Sequence, residues 1–291
     1  MLIQKTDVLC NVILQYPEER VRYIVDHIEE FYGEFRQFKK DKQGNKRKNK
    51  AQYITEYGKY WSRVINPPKH ELKLIQKRIN AYLVENIPLP NYAFGGIKTK
   101  DNILNAFEHK GKKYVFQTDL KDFFPRITNK MVYKMFVENS FSPDVATLLT
   151  KLTTFQGHLP QGAPTSTTIA NLVFVPVGNS IQSVAEREGL HFTTFVDDVT
   201  VSSQNDFKSV IPEMLTDIQS AENGQFKISH GKTSYKSGST VITGVKMLKN
   251  SMTIPDKLRE RMNIGDQKDS PRVRGLENYA KRIKKISARK K

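Results

Sequence analysis

The 291-residue sequence is poor in cysteine, tryptophan and acid: one Cys, one Trp, and 30 Asp+Glu against 47 Lys+Arg. A lone Cys10 excludes an intramolecular disulfide and a thiolate metal cluster, so a reducing, cytoplasmic setting is the expectation. Apolar runs such as Leu172 to Val177 fall far short of the roughly 20 residues that a membrane-spanning helix needs, and no membrane partner is expected. The start, Met1 to Lys5, has no basic segment leading into an apolar stretch with a small-residue cleavage site, so it does not read as a secretion signal. No internal repeat or low-complexity array is present.

The shortage of acid leaves a formal charge of +17, and the excess is concentrated. Residues 39–50 carry seven basic groups against Asp41 alone, and residues 281–291 carry seven with no acid. Such clustering points to a polyanionic partner, most often nucleic acid for a soluble chain. With 38% hydrophobic and 10% aromatic residues, a chain of this length can bury a substantial core, as one large domain or two to three joined subdomains.

Pro17-Glu18-Glu19 predicts a helix start, followed at helical spacing by Val21, Ile24, Val25, Ile28, Phe31 and Tyr32. Leu72, Ile75, Ile79, Tyr82 and Leu83 predict a second helix. Between them lie the basic run and a β-prone segment from Tyr53 to Val64, which suggests a basic loop beside a hairpin. Tyr114 to Leu120 has strand composition and carries Asp119 at its end. A long helix is expected after Gly162-Ala163-Pro164, with Pro164 in its first turn and Pro176 kinking or interrupting it. His191–Val196 and Val199–Ser203 read as a hairpin turning at Asp197-Asp198, and two adjacent carboxylates are poor turn chemistry. Ser270-Pro271 predicts a capped C-terminal helix with an apolar stripe (Val273, Leu276, Ala280, Ile283) and a basic face.

If the strand ending at Asp119 neighbours the Asp197-Asp198 hairpin, three carboxylates meet at one sheet edge. Such a cluster is costly unless cations neutralise it, and all-oxygen ligands favour Mg²⁺. Two such ions about 3.5–4 Å apart suit nucleotidyl transfer. Taken singly, each of these aspartates would be an ordinary strand-end or turn residue.

Three segments then stand together in order: Asp119-Leu120-Lys121-Asp122-Phe123-Phe124-Pro125, Leu159-Pro160-Gln161-Gly162-Ala163-Pro164-Thr165-Ser166 and Phe195-Val196-Asp197-Asp198. Their sequence and spacing resemble the palm motifs of reverse transcriptases. Asn105-Ala106-Phe107-Glu108-His109, Val241-Ile242-Thr243-Gly244 and the Arg274 to Ile283 segment resemble signatures of the bacterial retron branch. The likeness covers about residues 52 to 286. The family usually has Tyr at Phe195, most often Ala at Val196, and Pro at Thr167.

That resemblance implies an α+β right-hand polymerase: fingers over residues 1–111 with the basic loop 39–50, a palm of antiparallel sheet plus helices over 112–247, and a short helical thumb and basic tail over 248–291. It implies that Asp119, Asp197 and Asp198, with the Leu120 carbonyl, hold two Mg²⁺ ions, for which Mn²⁺ could substitute. Phe124 falls at the steric-gate position, where an aromatic ring would exclude a ribose 2′-hydroxyl. Gln161 and Gly162 would meet the incoming nucleotide, Arg63 with Lys59 its triphosphate, and Lys232 would protonate departing pyrophosphate. Asn105, His109, Thr243 and Gly244 are assigned to recognition of structured RNA, and Arg272, Arg274, Lys281, Arg282, Lys284 and Lys285 to the phosphates of a template–primer duplex.

The implied activity is RNA-directed DNA synthesis from deoxynucleoside triphosphates. A structured noncoding RNA would serve as template and primer, giving branched multicopy single-stranded DNA. Host RNase H, a nearby-encoded effector protein and a role in antiphage defence belong to the same implication. The alternatives are another defence or mobile-element reverse transcriptase, or a catalytically silent RNA-binding scaffold.

Overall fold

A computed structural model describes residues 3–41, 44–48, 60–263 and 270–289. The chain forms two compact units, one from residues 1–88 and 124–173, the other from 89–123 and 174–291.

In the first unit, the helix Glu18–Asp26 begins at Pro17, with Glu18 and Glu19 at the positive end of its dipole. It buries Val21 and Ile24. The apolar spacing that continues to Tyr32 does not extend the helix. His27 leaves helical geometry, its ring Nδ1 lies 2.9 Å from the Tyr23 carbonyl, and Ile28–Phe31 tightens into a 3₁₀ turn. The second predicted helix is present as His70–Asn86 and buries Leu72, Ile75, Ile79 and Leu83. Its buried Gln76 donates to the Tyr32 hydroxyl at 2.7 Å and the Leu152 carbonyl at 2.8 Å. Helices Asn129–Glu138 and Pro143–Thr153, N-capped by Thr128 and Ser142, pack against each other.

Strand β1 (Phe35–Phe38) pairs antiparallel with β2 (Ser62–Ile65). Of the segment read as β-prone, residues 53–59 lie outside the described residues. Its Ser62–Ile65 part is a strand, and the partner Phe35–Phe38 was not legible, since all four of its residues are exposed and show no alternation. Described parts of the basic run continue this ribbon. Lys39 N–H donates to Trp61 O at 2.8 Å and Trp61 N–H to Arg47 O at 2.9 Å, while the Lys39 ammonium sits 4.7 Å over the Trp61 ring.

In the second unit, β3 (Tyr114–Asp119), β4 (His191–Phe195), β5 (Asp198–Ser203) and β6 (Ser234–Ser237) form one antiparallel sheet in the order β4-β5-β3-β6. A smaller sheet joins β7 (Thr240–Ile242), β8 (Val245–Met247) and β9 (Met252–Thr253). The C-terminal helix Pro271–Ser287 starts as predicted, with Ser270 Oγ accepting from Val273 N at 3.3 Å. Ile283 and Ile286 bury against Ile103, Ala106, Val115, Ile242 and Val245.

For the long helix, Ser166–Arg187, the expected start and the expected interruption are corrected. It starts two residues after Pro164, so that proline lies outside the first turn, and it runs through Pro176 without interruption. Buried Leu172, Val173 and Phe174 before the proline, and Val177, Ile181 and Val184 after it, keep one apolar face continuous, and that burial outweighs the lost backbone bond. Beside it, Gly178 accommodates Tyr92, whose ring a Cβ would approach to between 2.5 and 2.8 Å; the Tyr92 hydroxyl donates to Asn179 Oδ1 at 2.8 Å.

Candidate active site

Register places the acids. β3 pairs with β5 so that Asp119 stands directly opposite Asp198. Directly opposed residues have Cβ atoms roughly 4.5–5.5 Å apart. β4 meets β5 with Phe195 opposite Asp198, which leaves Val196 and Asp197 as the two-residue turn. The turn expected at Asp197-Asp198 is therefore shifted by one residue, and Asp198 belongs to the strand.

The shift puts a valine in left-handed backbone, at φ 60°. A β-branched residue there costs on the order of 1–3 kcal/mol and persists only when its surroundings impose it. Those surroundings are identifiable. Thr194 N–H donates to Tyr92 O and Phe94 N–H to Thr194 O, both at 2.8 Å, so Tyr92–Phe94 runs alongside β4. At its end, Gly95 lies so close that a Cβ would fall far inside van der Waals contact with Val196 N and Cγ2. From the other side, Leu120 N–H donates to Asp197 O at 2.9 Å, and Ser229 N–H to Asp119 O at 2.8 Å.

Asp119 is buried, and the Lys232 ammonium donates to its Oδ1. Burial, then the charges of Asp197 and Asp119, push the Asp198 carboxyl up to about 6, while Lys232 pulls it down. Among the described residues no three His, Cys, Asp or Glu side chains form a ready-made cation cage. The donor chemistry nevertheless fits a hard divalent ion. Two carboxylates oppose each other, a third adjoins them in the turn, all the donors are oxygen, and burial together with mutual repulsion leaves Asp198 wanting positive charge.

Of the other predicted residues, Arg63, Phe124, Gln161 and Gly162 belong to the first unit. Asn66 N–H donates to Gln161 O at 2.8 Å, and Gly162, at φ 99°, is so close to β2 that a Cβ would lie 2.7 Å from Ile65 Cγ2. The exposed Arg63, two residues before Ile65 and therefore on the same strand face, is tied through this strand to Gln161-Gly162. Phe124 is half-buried, whereas its neighbour Phe123 packs with Phe174 and Phe226 in the second unit. Lys59 lies outside the described residues.

Asn105 and His109 are each 1% exposed. The His109 ring bridges Ser202 Oγ at 2.7 Å and Thr193 Oγ1 at 2.8 Å. Asn105 Nδ2 donates to Thr243 Oγ1 at 3.3 Å. Thr243 and Gly244 form the β7–β8 turn at φ 43° and 84°. Arg274, Lys281, Lys284 and Lys285 are exposed on the C-terminal helix, Arg282 pairs with Asp101, and the side chain of Arg272 lies outside the described residues. Sequence reasoning missed Tyr92 and Gly95, for which only the Gly95-Gly96 doublet was a signal, and Asn102, for which there was none; Tyr279 fell within the Arg274 to Ile283 segment without being singled out.

A family profile described as reverse transcriptase (RNA-dependent DNA polymerase) matches residues 42–260. The chain is similar to the retron Se72 reverse transcriptase of Salmonella heidelberg (strain 579083-10), at 38% identity over 50% of this chain and 39% of that protein. It is 32% identical to the retron Ec86 reverse transcriptase of Escherichia coli over 49% and 45% of the two chains. A longer match, 28% identical over 76% of this chain and 79% of the relative, is to the Escherichia coli retron Ec73 reverse transcriptase. The matched segments thus span less than half the length of the first two relatives. Among solved structures, apo telomerase from Candida tropicalis aligns with a TM-score of 0.50 at 12% identity, over 75% of this chain and 49% of that one, a likeness of fold alone.

Proposed function

Since the chain belongs to the reverse transcriptase family, we propose that it is an RNA-directed DNA polymerase of the retron type. The observation that carries the reading is the Asp119–Asp198 register beside the turn bearing Asp197. Asp119 and Asp197 would hold the metal ions, with Asp198 and the Leu120 carbonyl completing the ligands. Bound Mg²⁺ supplies activation of the attacking hydroxyl and stabilisation of the pyrophosphate leaving group.

The chain's own side chains do the rest. Lys232 Nζ, already at Asp119 Oδ1, is the proton donor for the departing pyrophosphate oxygen. Arg63 grips triphosphate with its guanidinium fork, and the Phe124 ring excludes a 2′-hydroxyl. Gln161 orients the nucleotide, while Gly162 gives it backbone free of a side chain. Exposed Arg274, Lys281, Lys284 and Lys285 follow duplex phosphates in an association that weakens with salt. In this reading residues 1–111 are fingers, 112–247 palm and 248–291 thumb.

The direct experiment is the double substitution Asp197→Asn, Asp198→Asn. It abolishes Mg²⁺-dependent deoxynucleotide incorporation and leaves RNA affinity unchanged or higher; a silent RNA-binding scaffold has no incorporation to lose. The finer reading, a structured noncoding RNA as template and primer, is tested by the nucleic acid that copurifies. Short DNA joined to RNA through a 2′-branch supports a retron enzyme with its effector and host RNase H, whereas unbranched or untemplated DNA favours another defence reverse transcriptase.

A further inference from the structure

The short helix Asn102–Glu108 is bonded at both ends to elements that carry the proposed chemistry and grip. At its start, Asp101 caps the helix through Ile103 N at 3.0 Å and Leu104 N at 2.8 Å, and also pairs with Arg282 of the C-terminal helix. Asn102 Nδ2 donates to the Thr243 carbonyl at 2.9 Å and to the Tyr279 hydroxyl at 2.6 Å, and Thr243 Oγ1 returns a bond to Asn102 O at 3.0 Å. Asn105 adds the bond to Thr243 Oγ1 from inside the core. Thr243 needs these partners, because it sits in left-handed backbone that a β-branched residue avoids. Just past the helix, His109 is clamped to β4 and β5, the strands that meet at the Val196–Asp197 turn.

We propose that this network is a positioning device: Asn102, Thr243 and Tyr279 fix the C-terminal helix against the catalytic sheet and so set how long the protein holds a growing duplex. Two features separate this role from mere packing. The bonds converge on one amide, Asn102, which ties the β7–β8 turn to the basic helix. The buried Asn105 Oδ1 has no hydrogen-bond partner among the described residues, so the asparagine serves a geometric constraint beyond its own satisfaction. Asn105 and His109, although implied to read RNA, work here from the interior, where RNA has no access to them.

The inference rests on the polymerase reading, and the test separates the two. The full-length parent, Tyr279→Phe, Asn102→Ala, their double variant, Thr243→Val and Thr243→Ser are compared on a generic RNA template with a DNA primer and a heparin trap. The readouts are product length per encounter, rate of first-nucleotide addition and melting temperature. Tyr279→Phe should shorten products about two- to tenfold, the effect of one missing hydrogen bond, and Asn102→Ala, which removes two, at least as much, while the first-nucleotide rate stays within about twofold. The double variant should do no more than Asn102→Ala alone, because both remove the same bond. Thr243→Ser should keep parental lengths and Thr243→Val should not. Parental product lengths in Tyr279→Phe and Asn102→Ala, with only the melting temperature lowered, would overturn the proposal. So would a defect seen with a structured RNA but absent on the generic template. A parent that incorporates nothing on any template overturns the polymerase reading, and this inference with it.

Discussion

Gly95→Ala is the sharpest perturbation of the site that leaves every acid in place. The added methyl meets the Val196 amide nitrogen and Cγ2, with Phe195 C at 2.9 Å behind them. Two of these three atoms are backbone, so no rotamer change relieves the clash, and either the Tyr92–Gly95 segment or the turn must move. Overpacking of this kind costs about 1–3 kcal/mol. That is roughly 2–4 °C of melting temperature per kcal/mol for a chain somewhat shorter than this one. Because displacement of the turn moves Asp197, incorporation should fall more than stability does. Val196→Ala removes Cγ2 and relaxes the left-handed strain, so alone it should be neutral or stabilising, and in Gly95→Ala, Val196→Ala it should restore part of the loss but not all, since the amide clash remains. Chemical denaturation and a primer-extension time course read both quantities. If Gly95→Ala melts and polymerises like the parent, the buttress does not exist and Val196 must be held in some other way.

Ile283→Ala should cost about 2–5 kcal/mol by cavity formation, seen as a lower denaturant midpoint, because Ile283 is fully buried in the core that seats the C-terminal helix. Substituting Lys281, Lys284 and Lys285 by Gln should weaken binding of a template–primer duplex and flatten the salt dependence of log K by about 0.9 for each phosphate that is no longer neutralised; an unchanged slope would remove this face from the interface. Burial raises the Cys10 thiol to about 11, so iodoacetamide at pH 8 should label it only after unfolding. The sign of the linkage follows: with a folded value above the unfolded one, the thiol's contribution to stability is complete below about 8.5 and is lost as pH rises towards 11.

The parts of the fold legible in the sequence were those where one strong local signal sufficed. The helix His70–Asn86 follows from apolar spacing, the start of Pro271–Ser287 from Ser270-Pro271, and β3 from its composition. The acids were legible as a constellation because strand ends at fixed spacing could be paired in only a few ways. What failed was decided by tertiary packing. The turn moved onto Val196 because the segment at Gly95 holds it there, and nothing between residues 191 and 203 could announce a buttress a hundred residues upstream. Pro176 stayed inside its helix because burial on both sides outweighed one absent amide. Asn105, His109 and Thr243 stood out within motifs, yet the pairing of Asn105 with Thr243 was not readable from them, and the His109 partners Thr193 and Ser202 are ordinary residues in sequence and meaningful only in space.

Trp61 is the sole tryptophan of the chain, on the ribbon that carries the basic run, with an ammonium over its ring. Light absorbed near 295 nm therefore reports from this one place and leaves the aspartate-bearing unit dark. Emission changes on adding nucleic acid would register events at the ribbon alone, and an indole introduced elsewhere by substitution would give a second, separately addressable probe.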